Sequence, residues 1–289
     1  MNYKLFRIFV TKISSKYKLV RNNTDRNFQM EDITYFEFDD INKVLKIDFY
    51  NHMLDHFWCV RRFHSSQLLA DADTKKPVIL MNNECEDYVI TTRTYADNIL
   101  SCIQSMDIAI ISIKDLYDRS TYDRYQISFV NFTEYHYEIF NNKVSTIRDV
   151  ILRLIKHLYC LQIDKATYDN IFIKNPHMKN EPVFDTYDKL RKIYNQCKDS
   201  RNKANHEGDF RIEELGELNI FESTRVFGKQ SPYYEAMEVE RNSAILRIRE
   251  SSKLLSKMYR LRNNLLGVIF EFYEYFDKPF MEHIDLINS

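Results

Sequence analysis

Residues Lys189 to Gly208 read K-L-R-K-I-Y-N-Q-C-K-D-S-R-N-K-A-N-H-E-G, and their periodicity decides the class of fold. With the residues just before them, the apolar and aromatic side chains fall at alternating steps of four and three: Val183, Tyr187, Leu190, Tyr194 and Cys197. That spacing keeps one side of an α-helix against a partner and predicts a helix from about Val183 to Asn205. Arg201 continues the stripe as a permanent cation on an otherwise apolar seam, and Ala204 resumes it. A guanidinium cannot shed its charge to enter a low-dielectric seam, so it needs a carboxylate, carbonyl oxygens or a phosphate. Asn202 and His206 stand four residues apart, share a neighbouring face and can touch one ligand. Gly208 supplies a helix end. A donor fork, an amide and an imidazole therefore converge on the last turn of one helix.

Composition extends this helical reading to the whole chain. Four glycines and five prolines in 289 residues are too few for a turn-rich β architecture, so an all-α bundle of long helices is expected. The 41 basic and 42 acidic residues leave a net charge of −1. No global cationic field then attracts nucleic acid or anionic membrane, and any nucleic-acid contact must come from a local patch. The cysteines (Cys59, Cys85, Cys102, Cys160, Cys197) are scattered without a C-x-x-C pair, as in a reducing cytosol. The apolar run Leu5 to Val10 is too short for a signal peptide, and no segment is long enough to span a bilayer. A soluble, cytoplasmic protein that does not engage membranes is expected. Without a Gly-rich phosphate loop or dinucleotide fingerprint, ATP and NAD cofactors have no support.

Along the chain, residues 1–40 form an N-terminal arm in which Leu5 to Val10 and Ile33 to Phe38 carry the β-branched and aromatic content of short strands. Residues 41–232 read as a helical core. Asp39-Asp40 offers an N-cap to a helix from Ile41 to about Asp71, and a second helix is expected from about Glu84 to Leu116. After a polar turn at Asp118 to Asp123, Ile127 to Val130 reads as a short extended piece. A helix through Val144, Ile147, Ile151 and Leu158 follows, then a looser stretch from Asp164 to Glu181. Residues 209–232 look mixed. Residues 233–289 close the chain with a long helix, from about Tyr233 to Phe276, packing on the core or on a dimer partner.

The sequence Arg201-Asn202-Lys203-Ala204-Asn205-His206 resembles the motif of HEPN domains, which is Arg, a polar residue, a few variable residues and His. In that family the motif lies toward the end of a helix in an all-α bundle. The preceding order is similar too: helical pairs, a long helix ending in an apolar stretch, a variable loop, then the motif helix. Asn142 to Gln162, followed by the motif helix, is most similar to a bacterial clade of HEPN proteins. The resemblance covers about residues 85–215 and leaves the N-terminal arm and the C-terminal helix unexplained. Of the eight histidines, only His206 satisfies the spacing.

The resemblance implies a metal-independent endoribonuclease without a cofactor, acting as a homodimer that brings two motifs together across one cleft. RNA carries its own nucleophile, the ribose 2′-OH, so cleavage needs proton transfer and stabilisation of a charged phosphorane. His206 would serve as general acid or base, since an unperturbed imidazole titrates near ~6.5. Arg201 would hold the phosphate, and Asn202 would orient His206 or the phosphate. Lys198 and Lys203, with Arg191 and Lys192 a few turns earlier, would supply the local attraction for RNA. The products would be a 2′,3′-cyclic phosphate and a 5′-hydroxyl. A role in toxin–antitoxin systems or phage defence, with an antitoxin or defence-system partner, is what the resemblance further implies.

Other readings compete. An Arg and a His near a helix end commonly pair with carboxylates such as Asp199 and Glu207, or cap the last carbonyls. A HEPN-like domain without catalysis would bind RNA or a partner protein through the same cleft. His52 and His56 are one helical turn apart, a spacing suited to zinc, with His64 a third ligand only if the chain folds back. His157 and Cys160 are spaced like half of a zinc site. The basic run Arg241, Arg247, Arg249, Lys253, Lys257, Arg260 and Arg262 reads as a solvated helix face, a secondary RNA track or a dimer seam.

Overall fold

A run such as Val144, Ile147, Ile151, Leu154 and Leu158 places one side chain in the core at every turn, and neighbouring helices carry matching stripes. The computed structural model describes residues 47–57, 84–207, 212–230 and 233–288, all within the compact unit Phe38–Ser289. The described residues form an all-α bundle and contain no strand. The two N-terminal runs read as strands, the cap at Asp39-Asp40, Cys59 and His64 lie outside them. No described helix is long and apolar enough to cross a membrane.

In chain order the helices are α1 (residues 48–57), α2 (Glu84–Ile111), α3 (Arg119–Arg124), α4 (Phe129–Leu158), α5 (Pro182–Glu207), α6 (Gly216–Phe227), α7 (Tyr233–Ala236) and α8 (Val239–Asn288). At a rise of ~1.5 Å per residue, α8 is a column of roughly 75 Å. It contacts α2, α4, α5 and α6, and so lies against the core of its own chain. Helices α2 and α4 pack against each other most extensively, and α5 fills the groove between α4 and α8. Phe49 of α1 docks on the far part of α8, its ring centroid 5.3 Å from Tyr273, 5.8 Å from Phe276 and 5.7 Å from Phe280.

Four expectations need correction. Ile127 to Val130 is no extended piece: Ser128 is the N-cap of α4, its hydroxyl accepting from Asn131 N–H at 3.1 Å, and Phe129 and Val130 are buried helical residues. A serine cap and an apolar stripe continuing through Thr133, Tyr137 and Phe140 outweigh the local β-propensity. The polar turn at Asp118 to Asp123 is largely the short helix α3, capped by Asp118, which accepts from Ser120 N–H at 3.1 Å. The mixed stretch contains α6, which buries Leu218, Glu222 and Arg225. Finally, the last helix begins at Val239, after a reversal at Glu238 (φ 45°), and runs past Phe276 through Pro279 to Asn288. Proline removes one backbone bond, to the carbonyl of Tyr275, but burial of Phe280 and Ile284 carries the helix across it. The stretch from Asp164 to Glu181 is irregular as expected, with a π turn at Asp169–Ile173 and a 3-10 turn at Pro176–Asn180, pinned by buried Ile171, Phe172 and Met178.

Helix α6 is anchored by ionised side chains inside the protein. Glu222 and Arg225 are both fully buried, with Arg225 Nη2 2.8 Å from Glu222 Oε2 and Arg225 Nη1 2.6 Å from Asp123 Oδ2 of α3. Glu222 also accepts from Phe129 N–H at 3.1 Å, from Arg247 at 3.2 Å and from the Ser243 hydroxyl. One carboxylate therefore joins α6 and α8 to the positive N-terminal end of α4. A second buried cation, Arg262, ties α8 to Asp107 of α2 at 3.0 Å.

Candidate functional site

The helix that carries the motif forms as its spacing predicts. Pro182 sits in the first turn, where its missing N–H costs nothing, and Val183, Tyr187, Leu190, Tyr194 and Cys197 are all buried against neighbouring helices. Burial pushes the Cys197 thiol up to about 11, so this cysteine is an inert core residue. The helix continues through Glu207, which puts Arg201, Asn202, Lys203 and His206 in its last two turns. Asn202 and His206 are thus one turn apart along a helix. The side chains of residues 199–207, and all of Gly208, lie outside the described residues.

Of the residues expected to attract RNA, Lys198 is exposed on α5. Arg191 and Lys192 are exposed as well, but both are engaged by one carboxylate: Asp188 lies 2.8 Å from Arg191 Nη2 and 3.3 Å from Lys192 Nζ. The Arg191 guanidinium also stands 5.2 Å from the centre of the Tyr168 ring. Ten residues of helix separate Arg191 from Arg201, roughly 15 Å along the axis, so the structure does not gather these two cations with the motif at one point.

The basic run of α8 is not an open cationic track. Arg247 meets Glu222 at 3.2 Å, Arg249 meets Glu217 at 2.9 Å and Lys257 meets Glu214 at 2.8 Å. Lys253 pairs with Glu250 at 3.2 Å, Arg241 with Glu238 at 2.9 Å, and Arg262 is buried on Asp107. Carboxylates of α2, α6, the turn before α6, Glu238 and Glu250 pair six of the seven cations, and Arg260 is exposed.

The histidines of α1 are engaged by α8. His52 Nδ1 is 2.7 Å from Asp277 Oδ1, and that hydrogen bond raises the imidazole pKa above its ordinary value. The His56 ring meets Phe280 edge-on at 6.0 Å. No group of three or more metal-capable side chains occurs among the described residues.

His157 and Cys160 part company. His157 Nε2 contacts the Tyr88 carbonyl and the Thr92 hydroxyl, each at 3.1 Å, and burial holds its pKa below the ordinary value. Cys160 Sγ instead lies over the His283 ring of α8, 3.3 Å from Nδ1 and 3.6 Å from Nε2, across 123 residues of sequence. The two residues line two adjoining open clefts of about 1010 and about 640 Å³. Burial and the Glu84 carboxylate push the Cys160 thiol up. Beside the pair, the Tyr88 ring lies between His157 (4.6 Å) and His283 (4.3 Å), and its buried hydroxyl has no hydrogen-bond partner.

The backbone at Cys160 is unusual. Cys160 N–H reaches the His157 carbonyl at 3.1 Å and Leu161 N–H reaches the Lys156 carbonyl at 3.0 Å, closing α4 with a Schellman turn. Cys160 occupies its left-handed position with φ 48°, where glycine is favoured. Cys160→Gly is accordingly expected to stabilise the chain by about 1 kcal/mol, read as a higher urea midpoint at unchanged slope. A lower midpoint would show that the thiol contributes more than its backbone strain costs. The His157–Cys160 spacing does not reveal His283, which comes from a distant helix. The signal to follow was a cysteine just past a helix end, where glycine or asparagine is usual.

The sequence matches no family model, and comparison with curated proteins and with solved structures finds no significant similarity.

Proposed function

We propose that this chain is an endoribonuclease of the HEPN type, cleaving RNA through its own 2′-hydroxyl. The observation that supports the reading best is the position of Arg201, Asn202 and His206 in the last two turns of a core-packed helix within an all-α bundle. His206 takes the proton from the 2′-OH or delivers it to the departing 5′-oxygen, while Arg201 holds the phosphate as negative charge grows on it. Asn202 orients one of the two. Lys198 and Lys203 are the nearest further cations on the helix, so attraction of RNA is local to this end of α5. Two chains meet so that their motifs share one cleft, and a toxin–antitoxin or phage-defence partner governs when the enzyme acts.

The test is incubation of the purified full chain with a mixed RNA panel that includes tRNA, in EDTA throughout, followed by end analysis. Cleavage leaving 2′,3′-cyclic phosphate and 5′-hydroxyl ends is the expected result. A dimer that binds the panel but leaves it intact would replace this reading with a non-catalytic RNA-binding module.

A further inference from the structure

We propose that the cleft between α2, the end of α4 and the loop after it binds a small zwitterion, an amine bearing a phosphate monoester. Helix α2 holds the ammonium, and α4 with the loop holds the phosphate. The site lies apart from the motif helix, and the inference stands whether or not RNA is cleaved.

The charges that line the cleft carry the inference. Its volume of about 1010 Å³ has room for a small ligand. Helix α2 contributes Glu84 and Asp87, α4 contributes Arg153 and Lys156, and the loop contributes Lys165 with Asp164 beside it. Elsewhere in the bundle opposite charges close on one another, as Asp188 does on Arg191 and Glu214 on Lys257. Among the described residues none of these six side chains reaches an ion partner. Arg153, Lys165, Glu84, Asp87 and Asp164 make no side-chain hydrogen bond, and Lys156 gives one, to the Asp164 carbonyl at 3.4 Å. Cations and carboxylates that line one cleft without meeting are complementary to a ligand that carries both signs.

Main-chain contacts keep the gap open. The Lys165 carbonyl accepts from Thr167 N–H and from Asn170 Nδ2, each at 2.9 Å, and buried Ile171 and Phe172 anchor the next turn. The loop is thereby held in place rather than free to carry Lys165 onto Glu84 or Asp87. The two signs are also separated along the cleft. Glu84 is close enough to Cys160 to push its thiol pKa up, whereas Arg153 stands two turns earlier on α4, roughly 10 Å along the axis. On the side of α4 and the loop, three cations less Asp164 leave +2, and Glu84 and Asp87 give α2 a charge of −2. A phosphate monoester carries about −1.5 to −2 at pH 7 and matches the first, with the Arg153 fork suited to its oxygens. An ammonium matches the second. Leu161, Ile163 and Ala166 provide apolar wall for the short carbon chain between the two groups.

The experiment is calorimetric titration of the full chain with phosphoethanolamine, and separately with inorganic phosphate and with ethanolamine. Phosphoethanolamine is expected to bind at least about tenfold more tightly than either half, since one hydrogen bond to a charged group contributes about that factor. Arg153 and Asp87 are exposed and unpaired, so Arg153→Gln and Asp87→Asn keep the fold. Each should weaken phosphoethanolamine about tenfold. Only Arg153→Gln should also weaken inorganic phosphate, a split that a general loss of structure would not produce. Inorganic phosphate binding as tightly as phosphoethanolamine would overturn the assignment of a zwitterion. Absence of phosphoethanolamine binding, or binding unchanged in both variants, would overturn the site as a whole.

Discussion

Glu222→Ala is expected to destabilise the protein by about 3–5 kcal/mol, a large share of the stability of an ordinary domain. The reason is what the alanine leaves behind. Arg225 is fully buried, and with Glu222 removed only Asp123 remains as a carboxylate partner for its guanidinium. The Phe129 N–H at the start of α4 and the Ser243 hydroxyl lose their acceptor at the same time. A buried cation that keeps only one of its two carboxylates, together with donors left without an acceptor, costs more than the pair itself contributes. Glu222→Gln keeps two acceptor lone pairs and should lose less. Urea unfolding of both variants checks the order, and a Glu222→Ala midpoint matching wild type would mean that water reaches Arg225.

The same network predicts where acid acts. Burial by itself would raise the Glu222 pKa, but hydrogen bonds from Arg225, Ser243 and Phe129 N–H reverse this and hold it at about 2, against an ordinary 4.5. Asp123 and Glu240 are also held low, each against burial, by arginines and other donors around them. A carboxylate with a depressed folded-state pKa binds protons more weakly than in the unfolded chain. Its contribution is therefore complete above pH 4.5 and is lost as pH falls from there toward about 2. Thermal midpoints measured across that window should fall steeply for wild type and more gently for Glu222→Gln. Parallel curves would assign acid sensitivity to other carboxylates.

The second large effect concerns the proposed activity. His206→Ala is expected to lower RNA cleavage by a factor of about 10²–10⁴, the usual contribution of a positioned acid–base group. Arg201→Lys keeps a positive charge but replaces a planar fork with a point charge, so a substantial loss is expected there too. Single-turnover cleavage separates the roles. Loss at saturating enzyme marks transition-state stabilisation, whereas loss only at low enzyme marks RNA binding. A His206→Ala protein that cuts as well as wild type, with the same ends, would move the chemistry away from α5.

The helical class was legible in the residues because periodicity is a local property. The stripe from Val183 to Cys197 needs no knowledge of its partner to show which side is buried, and the scarcity of glycine and proline excludes much else. The Arg201, Asn202 and His206 positions on the last turns of that helix were equally readable, since four residues make one turn wherever the helix packs. Boundaries were less accessible. Ser128 to Val130 has strand-like residues, and only the core contacts of Phe129 and the Glu222 carboxylate that accepts its N–H make it a helix start. The end expected for the last helix, near Phe276, falls short because burial of Phe280 and Ile284 carries it across Pro279. Charge was the least legible: the basic residues of α8 look free in sequence, and their carboxylates come from other helices and from α8's own first part. The Cys160–His283 contact joins residues 123 apart, and no spacing rule reaches that far. Helix periodicity is written within a few residues, whereas ion pairs and side-chain contacts between distant segments depend on which helices meet, and that is decided by tertiary packing alone.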